Sequence, residues 1–518
     1  PAGGLKSSIF VNDIRFSGKV EKFKVSKLKS LLKDYINKKL TFSQINEAVE
    51  LIQEFYLVND FFLAKVTLPE QEVVDGIIYL NINEGRLDKK DPYVIKAENL
   101  RLYKDILTDY LENALSTGVT KNGLERALLN INDLPGVSAV SSIEPGAEEG
   151  SSKIVLNVVE DDLVSGSITL DNHGNRYTAK QRNTIKIDFN NPSKIGDKLS
   201  ITKTFNAGEK FDFTQFDYEV PVGQSGFKAF ASASRLEFEI GKELRTNPVS
   251  LGNADTIEVG VKYPIQRTNN QSVFLKTSIE KKEIYNETTG VLTNDKTLEN
   301  AKIGLDFEGK NIFQNSSLTG VSVSGIFGDL DLSKVNSDYL NDQKASGPKT
   351  HGDFNKVVLD FYHIHKFTDK INFKYYGSLQ HASKNLDSSE KFSLGGVSGV
   401  RAYPSGEASG DEGHKLSFEV QYDLSKPDMD FDLIGTLFYD YGKIRQYKDS
   451  SNITLTTPNE YSLSGWGVSF DLIANERVKL NLGWAQAIGD NDGQSSSGNN
   501  SDGRGGSSRA WFQVVFRF

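Results

Sequence analysis

The chain has 518 residues, a net charge of −9 and a mean hydropathy of −0.41, with charges of both signs spread throughout and no basic footprint for nucleic acid. It has no cysteine, which excludes disulfides, a thiolate nucleophile and cysteine-ligated zinc. No apolar run approaches the ~20 residues of a membrane-crossing helix, but a barrel strand alternates apolar and polar faces and escapes window hydropathy.

The 31 Phe, 20 Tyr and 45 Gly beside a single Met suit many strands joined by tight turns. The sequence starts at Pro1 with no charged-then-apolar leader, as a processed or trimmed chain would.

Residues 8–160 read as two copies of one mixed pattern. In the first, a strand-like run covers Phe10 to Phe16, and Val25, Leu28, Leu31, Leu32, Tyr35 and Ile36 follow helical spacing. Thr41 with Gln44 forms a capping box ahead of the stripe Ile45, Ala48, Val49, Ile52, Phe55, Tyr56. Strands are expected at Phe62 to Leu68 and Gly76 to Asn83, giving the order β-α-α-β-β. The second copy starts near Tyr93, with helices over Tyr103 to Leu115 and around Leu124 to Ile131. Asp133-Leu134-Pro135-Gly136 stops the second helix, and strands follow at Ser138 to Ile143 and Lys153 to Val159.

From Leu163 the helical period disappears. Leu416, Phe418, Val420, Tyr422 and Leu424 share one strand face, and Ser417, Glu419, Gln421 and Asp423 the other. Roughly 16 such segments of about 8–14 residues are expected, near the length of a tilted membrane-spanning strand. Turns alternate between short, such as Asn191-Pro192-Ser193, and long, such as Gly489 to Ser508. The expected fold is therefore a transmembrane β-barrel of about 16 antiparallel strands, preceded by two small α+β domains. Boundaries are placed at 1–88 (with a short linker remnant), 89–161 and 162–518. A soluble antiparallel sheet with one wet face fits the alternation as well.

Several local sequences resemble the two-partner secretion transporters, the TpsB branch of the Omp85 superfamily. Leu68-Pro69-Glu70-Gln71, Asp75-Gly76 and Glu84-Gly85-Arg86 look like its first POTRA domain. Asn132-Asp133-Leu134-Pro135-Gly136-Val137 and Pro145-Gly146 look like its second. Leu170 to Tyr177 resembles the first barrel strand and loop, and Asn190-Asn191-Pro192 with Gly196-Asp197 the next turn. The most specific match is Gly395 to Pro404, containing Val400, Arg401, Ala402 and Tyr403, which resembles the motif of the long sixth extracellular loop. Ala402 stands where the family usually has glycine. Phe438-Tyr439-Asp440-Tyr441-Gly442 matches the Phe-x-Asp-x-Gly motif of the barrel wall. Phe512, Val514, Phe516 and Phe518 alternate to the chain end like the signal that barrel-assembly machinery reads.

The resemblance implies export of a secreted TpsA-type exoprotein across the bacterial outer membrane, with both POTRA domains in the periplasm. Loop 6, about 384–413, is expected to fold into the lumen and pair Arg401 with Asp440. The family's plug helix and most of its linker would precede Pro1, so loop 6 alone is expected to obstruct the lumen. An unfolded client would add to an exposed POTRA strand edge, for which Phe62, Ala64, Val66 and Val137, Ala139, Ser141 are the candidates. Partners are the client, outer-membrane lipid, and barrel-assembly machinery and periplasmic chaperones during biogenesis; a monomer is expected, with no nucleic acid.

No G-x-S-x-G elbow, Walker phosphate loop or dinucleotide fingerprint is present. No catalytic activity, cofactor or metal is therefore expected. His363 and His365 could share a strand face but lack a third ligand in the pattern. The lysines at 22, 24, 27, 29, 33, 38 and 39 read as a solvated face, with a client- or lipid-binding role as the alternative. Rival functions are a barrel-insertion factor, a passive porin and a soluble adhesin.

Overall fold

Thr41 opens helix α2 (Phe42–Val58) as its sequence prescribes: its hydroxyl accepts from Gln44 N at 3.3 Å, and Gln44 Oε1 accepts from Thr41 N at 2.9 Å. The computed structural model describes residues 8–18, 20–116, 118–148 and 150–518. The linker remnant expected before the first strand lies outside the described residues. The chain forms two compact units, Pro1–Asp161 and Asp162–Phe518.

In the first unit, α2 buries Ile45, Ala48, Ile52 and Tyr56, the inner members of the stripe seen in sequence. They pack with Leu28 and Leu32, contributed by α1 (Val25–Leu31) and the residue after it, onto a sheet of β2 (Asp13–Ser17), β4 (Lys65–Thr67) and β5 (Ile77–Asn83). Strand β5 is central, parallel to β2 and antiparallel to β4. The expected run Phe10 to Phe16 divides at Asn12, whose N–H donates to Gly76 O at 2.7 Å. Its first half, β1 (Ser8–Val11), pairs instead with β3 (Lys38–Thr41) in a separate ribbon, an addition to the expected β-α-α-β-β order.

The second module has β6 (Arg86–Leu87), β7 (Tyr93–Ala97), α3 (Lys104–Leu115), α4 (Lys121–Asn132), β8 (Val137–Pro145) and β9 (Ser151–Glu160). Strand β9 is central, parallel to β6 and β7 and antiparallel to β8. Thr120 caps α4 by accepting from Gly123 N at 3.1 Å. The two modules meet within this unit, where Asp60 O accepts from Lys121 N at 3.0 Å.

The second unit is a closed barrel of sixteen antiparallel strands. It begins with β10 (Val164–Asp171), β11 (Arg182–Asn190), β12 (Lys198–Phe205), β13 (Phe211–Pro221) and β14 (Lys228–Glu239). Next come β15 (Leu251–Arg267), β16 (Gln271–Thr288), β17 (Val291–Lys310), β18 (Ser317–Asp331), β19 (Gly352–Lys366) and β20 (Ile371–Ala382). Two short strands inside the sixth loop, β21 (Phe392–Ser393) and β22 (Ser409–Gly410), pair with each other rather than with the wall. The wall resumes with β23 (Glu412–Asp423), β24 (Phe431–Arg445), β25 (Glu460–Ala474), β26 (Val478–Ala487) and β27 (Ser508–Arg517). Strand β27 closes on β10, from Ser167 opposite Arg517 to Asp171 opposite Gln513.

The barrel is inverted relative to a water-soluble protein. On β24 the lumen-facing Phe438 and Asp440 are 2% and 1% exposed, whereas their outward neighbours Leu437 and Tyr439 are 53% and 43% exposed. A continuous outer face of exposed Ile, Leu, Val, Phe and Trp around a polar interior is stable against lipid, not water. No described helix is long and apolar enough to cross a membrane; the strands do so. Strands β15, β16 and β17 run to 17, 18 and 20 residues, longer than the 8–14 expected, because they continue as a paired ribbon past the length a bilayer requires.

Candidate functional site: loop 6 in the barrel lumen

Loop 6 leaves β20 at Ala382 and rejoins the wall at Glu412; its stem is the β21–β22 pair and its tip carries Arg401. Arg401 donates from Nη2 to Asp440 Oδ1 at 2.7 Å and from Nε to Oδ2 at 2.9 Å, a two-pronged pair. Its backbone N–H adds a third bond to Oδ2 at 3.0 Å. The remaining prong, Nη1, reaches Glu419 Oε1 on β23 at 2.7 Å. Glu419 also accepts from Tyr376 Oη at 2.9 Å, and Ser417 Oγ donates to Asp440 Oδ1 at 2.8 Å. One guanidinium is thus shared by two buried carboxylates on adjacent strands, with donors filling the remaining lone pairs. Such completeness is what a desolvated ion pair needs to persist.

The alternation of β24 explains the wall motif. Residues 438, 440 and 442 share its inner face. Phe438 lies flat beneath the guanidinium, 3.5 Å from ring centroid to Arg401 Cζ, adding a cation–π contact. Asp440 supplies the countercharge. Gly442 leaves the space into which Leu394 of the loop inserts; a Cβ there would come within 2.5 Å of Leu394 Cδ2.

Ala402 is fully buried and does not adopt the left-handed conformation that would require glycine. Its methyl faces Gly465 of β25, where a Cβ would come within 2.7 Å. Val400, Ala402 and Tyr403 pack with Leu394, Phe438, Leu463 and Trp511 into a small apolar core inside the lumen. The sequence reading missed Glu419. Its placement on the polar face of the Leu416 to Leu424 alternation was the signal that could have found it.

Other loops hold the tip. Glu407 is buried and accepts from Asn491 Nδ2 at 2.5 Å and from Ser501 N at 2.6 Å, both in the loop between β26 and β27. Asn175, in the first loop, donates to Ser405 O at 3.4 Å. His363 bonds Thr319 Oγ1 through Nδ1 at 2.8 Å.

The first unit alters the expected client edges. Phe62 precedes β4 and packs against the core of the second module, so it is not an edge residue. The outer edge of β4 is occupied by Gln53 of α2, which donates to Ala64 O at 2.9 Å and accepts from Val66 N at 2.8 Å. Asn132 does the same on β8, donating to Ala139 O at 2.9 Å and accepting from Ala139 N at 2.8 Å. Val137 N is also taken, by Leu134 O at 3.1 Å. In both modules a helix-borne amide stands where a neighbouring strand would pair, leaving Ser141 as the next outward-facing position on β8.

At the chain end, Phe512, Val514 and Phe516 lie opposite Leu482, Leu480 and Val478 of β26. Val514 and Phe516 also face Leu170 and Ile168 of β10 across the closing seam. Phe518 continues the seam, exchanging backbone hydrogen bonds with Gly166 at 2.9 and 3.1 Å.

A sixteen-strand lipid-facing barrel with an inward-folded loop and α+β modules before it defines an outer-membrane protein transporter of the Omp85 kind. The family model for the haemolysin secretion/activation protein ShlB/FhaC/HecB matches residues 150–472, and that for the ShlB-type POTRA domain matches residues 9–85. The chain belongs to this family, the two-partner secretion transporters; it is an outer-membrane translocator with its POTRA region in the periplasm. The heme/hemopexin transporter protein HuxB of Haemophilus influenzae (strain 86-028NP) is 26% identical over 468 residues, 90% of this chain and 81% of HuxB. The outer membrane transporter CdiB of Dickeya dadantii (strain 3937) is 24% identical over 399 residues, 74% of this chain and 67% of CdiB. Among solved structures, CdiB from Escherichia coli superposes with a TM-score of 0.77 at 18% identity, covering 100% of this chain and 92% of that one. BamA from Haemophilus ducreyi lacking POTRA domains 1–3 shares the fold more distantly, with a TM-score of 0.54 at 12% identity, covering 98% of this chain and 100% of that one.

Proposed function

We propose that this transporter takes an unfolded TpsA-type exoprotein from the periplasm on its POTRA modules and passes it through the barrel lumen as loop 6 moves aside. The observation that carries this reading is the state of loop 6. Its tip packs against the inner wall of the barrel, yet it is held there by hydrogen bonds and ion pairs to wall side chains, which can be exchanged, and not by pairing with the wall strands. A passive porin has no use for such a loop or for two modules before the barrel.

The client's extended segment would pair with a POTRA edge through main-chain hydrogen bonds, which give affinity without demanding one sequence. Ser141 onward on β8, beyond the Asn132 cap, is the edge the geometry favours. Folding of the client outside the cell would prevent its return and supply direction. Outer-membrane lipid surrounds the barrel, and barrel-assembly machinery and periplasmic chaperones serve its biogenesis; the functional unit is a monomer. Among client classes, the name of HuxB, which is 26% identical over 90% of this chain, favours a haem- or hemopexin-related exoprotein.

The test is a secretion assay with the N-terminal domain of the large exoprotein encoded beside this gene, in cells carrying the intact transporter, Arg401→Ala or none. Client in the medium only with the transporter, and less with Arg401→Ala, supports the reading. Equal release in all three removes it and turns attention to barrel insertion.

A further inference from the structure

Loop 6 carries a second set of buried ion pairs to the wall, on strands other than those that hold the Arg401 tip. Besides the Arg401 tip, the limb that climbs from β20 carries a short turn, Ser388–Glu390, capped by Asp387, and the carboxylates of Asp387 and Glu390 are directed into the wall. Glu390 is 3% exposed and lies 2.7 Å from both Lys282 Nζ on β16 and Lys356 Nζ on β19. Its carbonyl oxygen also accepts from Lys356 Nζ at 2.9 Å and Gln380 Nε2 at 3.0 Å. Asp387 pairs with Lys296 Nζ of β17 at 2.7 Å, and its other oxygen accepts from Ser389 N at 3.0 Å. Next to them Leu386 is buried among Leu298, Leu330 and Phe354, a second apolar pocket inside the lumen.

The two attachments use different strands. The root is seated on β16, β17 and β19, which lie six, five and three positions from β24 in the circle of sixteen, so the segment 387–401 links two sets of wall strands. Each end combines buried ion pairs with a small apolar seat. A buried carboxylate that loses its ammonium partner is left desolvated and uncompensated, so neither end can release cheaply. Opening the Arg401 pair alone therefore frees the tip but leaves the strap tied by its root.

We propose that Asp387 and Glu390, seated on Lys282, Lys296 and Lys356, form a second latch, and that loop 6 leaves the lumen only when this latch and the Arg401 latch are both open. This rests on the reading that loop 6 moves during export. Its test needs no client and so separates the two.

Channel conductance is recorded in planar bilayers with the full chain as parent, Arg401→Ala, Asp387→Asn/Glu390→Gln, and all three substitutions together. A wall-side set, Lys282→Gln/Lys296→Gln/Lys356→Gln with and without Arg401→Ala, attacks the same latch from the other partner. Folding of every form is checked by its heat-modifiable mobility in gels. Each latch opened singly is expected to give only brief excursions from the parental conductance. Both opened together, from either side, should raise the open time at least tenfold over either alone. Equal open times for Arg401→Ala with and without the loop-side or wall-side substitutions overturn the proposal. So does full opening by Arg401→Ala alone.

Discussion

Leu394 of loop 6 sits in the space that Gly442 of β24 leaves open: a Cβ on Gly442 would lie 2.5 Å from Leu394 Cδ2 and 3.3 Å from Cδ1. The glycine of the wall motif is thus a seat for the loop, not a bend in the strand, which runs unbroken from Phe431 to Arg445. Gly442→Val should leave the strand intact, since β-branched residues suit a pleated surface. It should also push Leu394 off the wall at a cost of about 1–3 kcal/mol. The expected outcome is a normal yield of folded barrel with brief openings more frequent than the parent's, since the Asp387 and Glu390 attachment stays closed. An unchanged frequency of openings would show that this contact does not hold the loop.

The pair below it is expected to be strongly coupled. Arg401→Ala strands Asp440 with only Ser417 and one backbone N–H, and Asp440→Asn strands the guanidinium on Glu419. Breaking a buried pair from one side costs about 3–5 kcal/mol, whereas removing both partners costs less. A double-mutant cycle on the gel heat-unfolding midpoint should therefore show the double variant well above the sum of the singles. Arg401→Lys should behave like Arg401→Ala, because one ammonium cannot fork to Asp440 and Glu419 while lying over Phe438. Additive midpoints would mean the pair is geometrically close and energetically idle.

The legible parts of this molecule are those that repeat or occupy fixed strand positions. Period-2 alternation reveals the wall around Leu416 to Leu424, and the Phe-x-Asp-x-Gly motif marks Phe438, Asp440 and Gly442 as wall residues. Arg401 was visible through its motif. The second carboxylate on Arg401, Glu419, was in view as a polar-face residue, but alternation gives a face and not a partner. Asp387 and Glu390 were not readable at all: a three-residue turn inside a long loop has no period, and its lysine partners lie 34 to 108 positions away. The excess length of β15 to β17 escaped for a related reason, since paired strands can continue beyond the bilayer without any change in alternation.

Asp88 gives the first unit a pH signature. Its carboxylate accepts from the N–H groups of Asp91 at 3.1 Å, Ala147 at 2.6 Å and Lys90 at 3.0 Å, and these donors hold its pKa down to about 2. The folded value lies below the unfolded one near ~3.9. The stabilisation is therefore present above pH ~4 and is lost as pH falls through about 2. Hydrogen exchange at Ala147 should show protection declining across that window in the parent and already weakened, without the pH step, in Asp88→Asn. Identical profiles would mean the turn is held by other contacts.

The amide caps set a limit on where a client strand can pair. Gln53 on Ala64 and Val66, and Asn132 on Ala139, satisfy the groups an added strand would use, so the client must displace them or start beyond them. Each lost hydrogen bond is worth about 1 kcal/mol net, so Asn132→Ala should weaken hydrogen-exchange protection of β8 without unfolding the module. If the client displaces the cap, Asn132→Ala removes a competitor for two bonds. Binding of the client's N-terminal domain to the intact transporter should then tighten by roughly thirtyfold, since two bonds amount to about 2 kcal/mol and 1.4 kcal/mol corresponds to a factor of ten. Gln53→Ala tests the first module in the same way. If the client begins at Ser141, affinity should be indifferent to Asn132→Ala and fall when Ser141→Pro deletes the next outward-facing donor. A loss of affinity with Asn132→Ala would exclude both arrangements and show that the client recognises the capped edge as it stands.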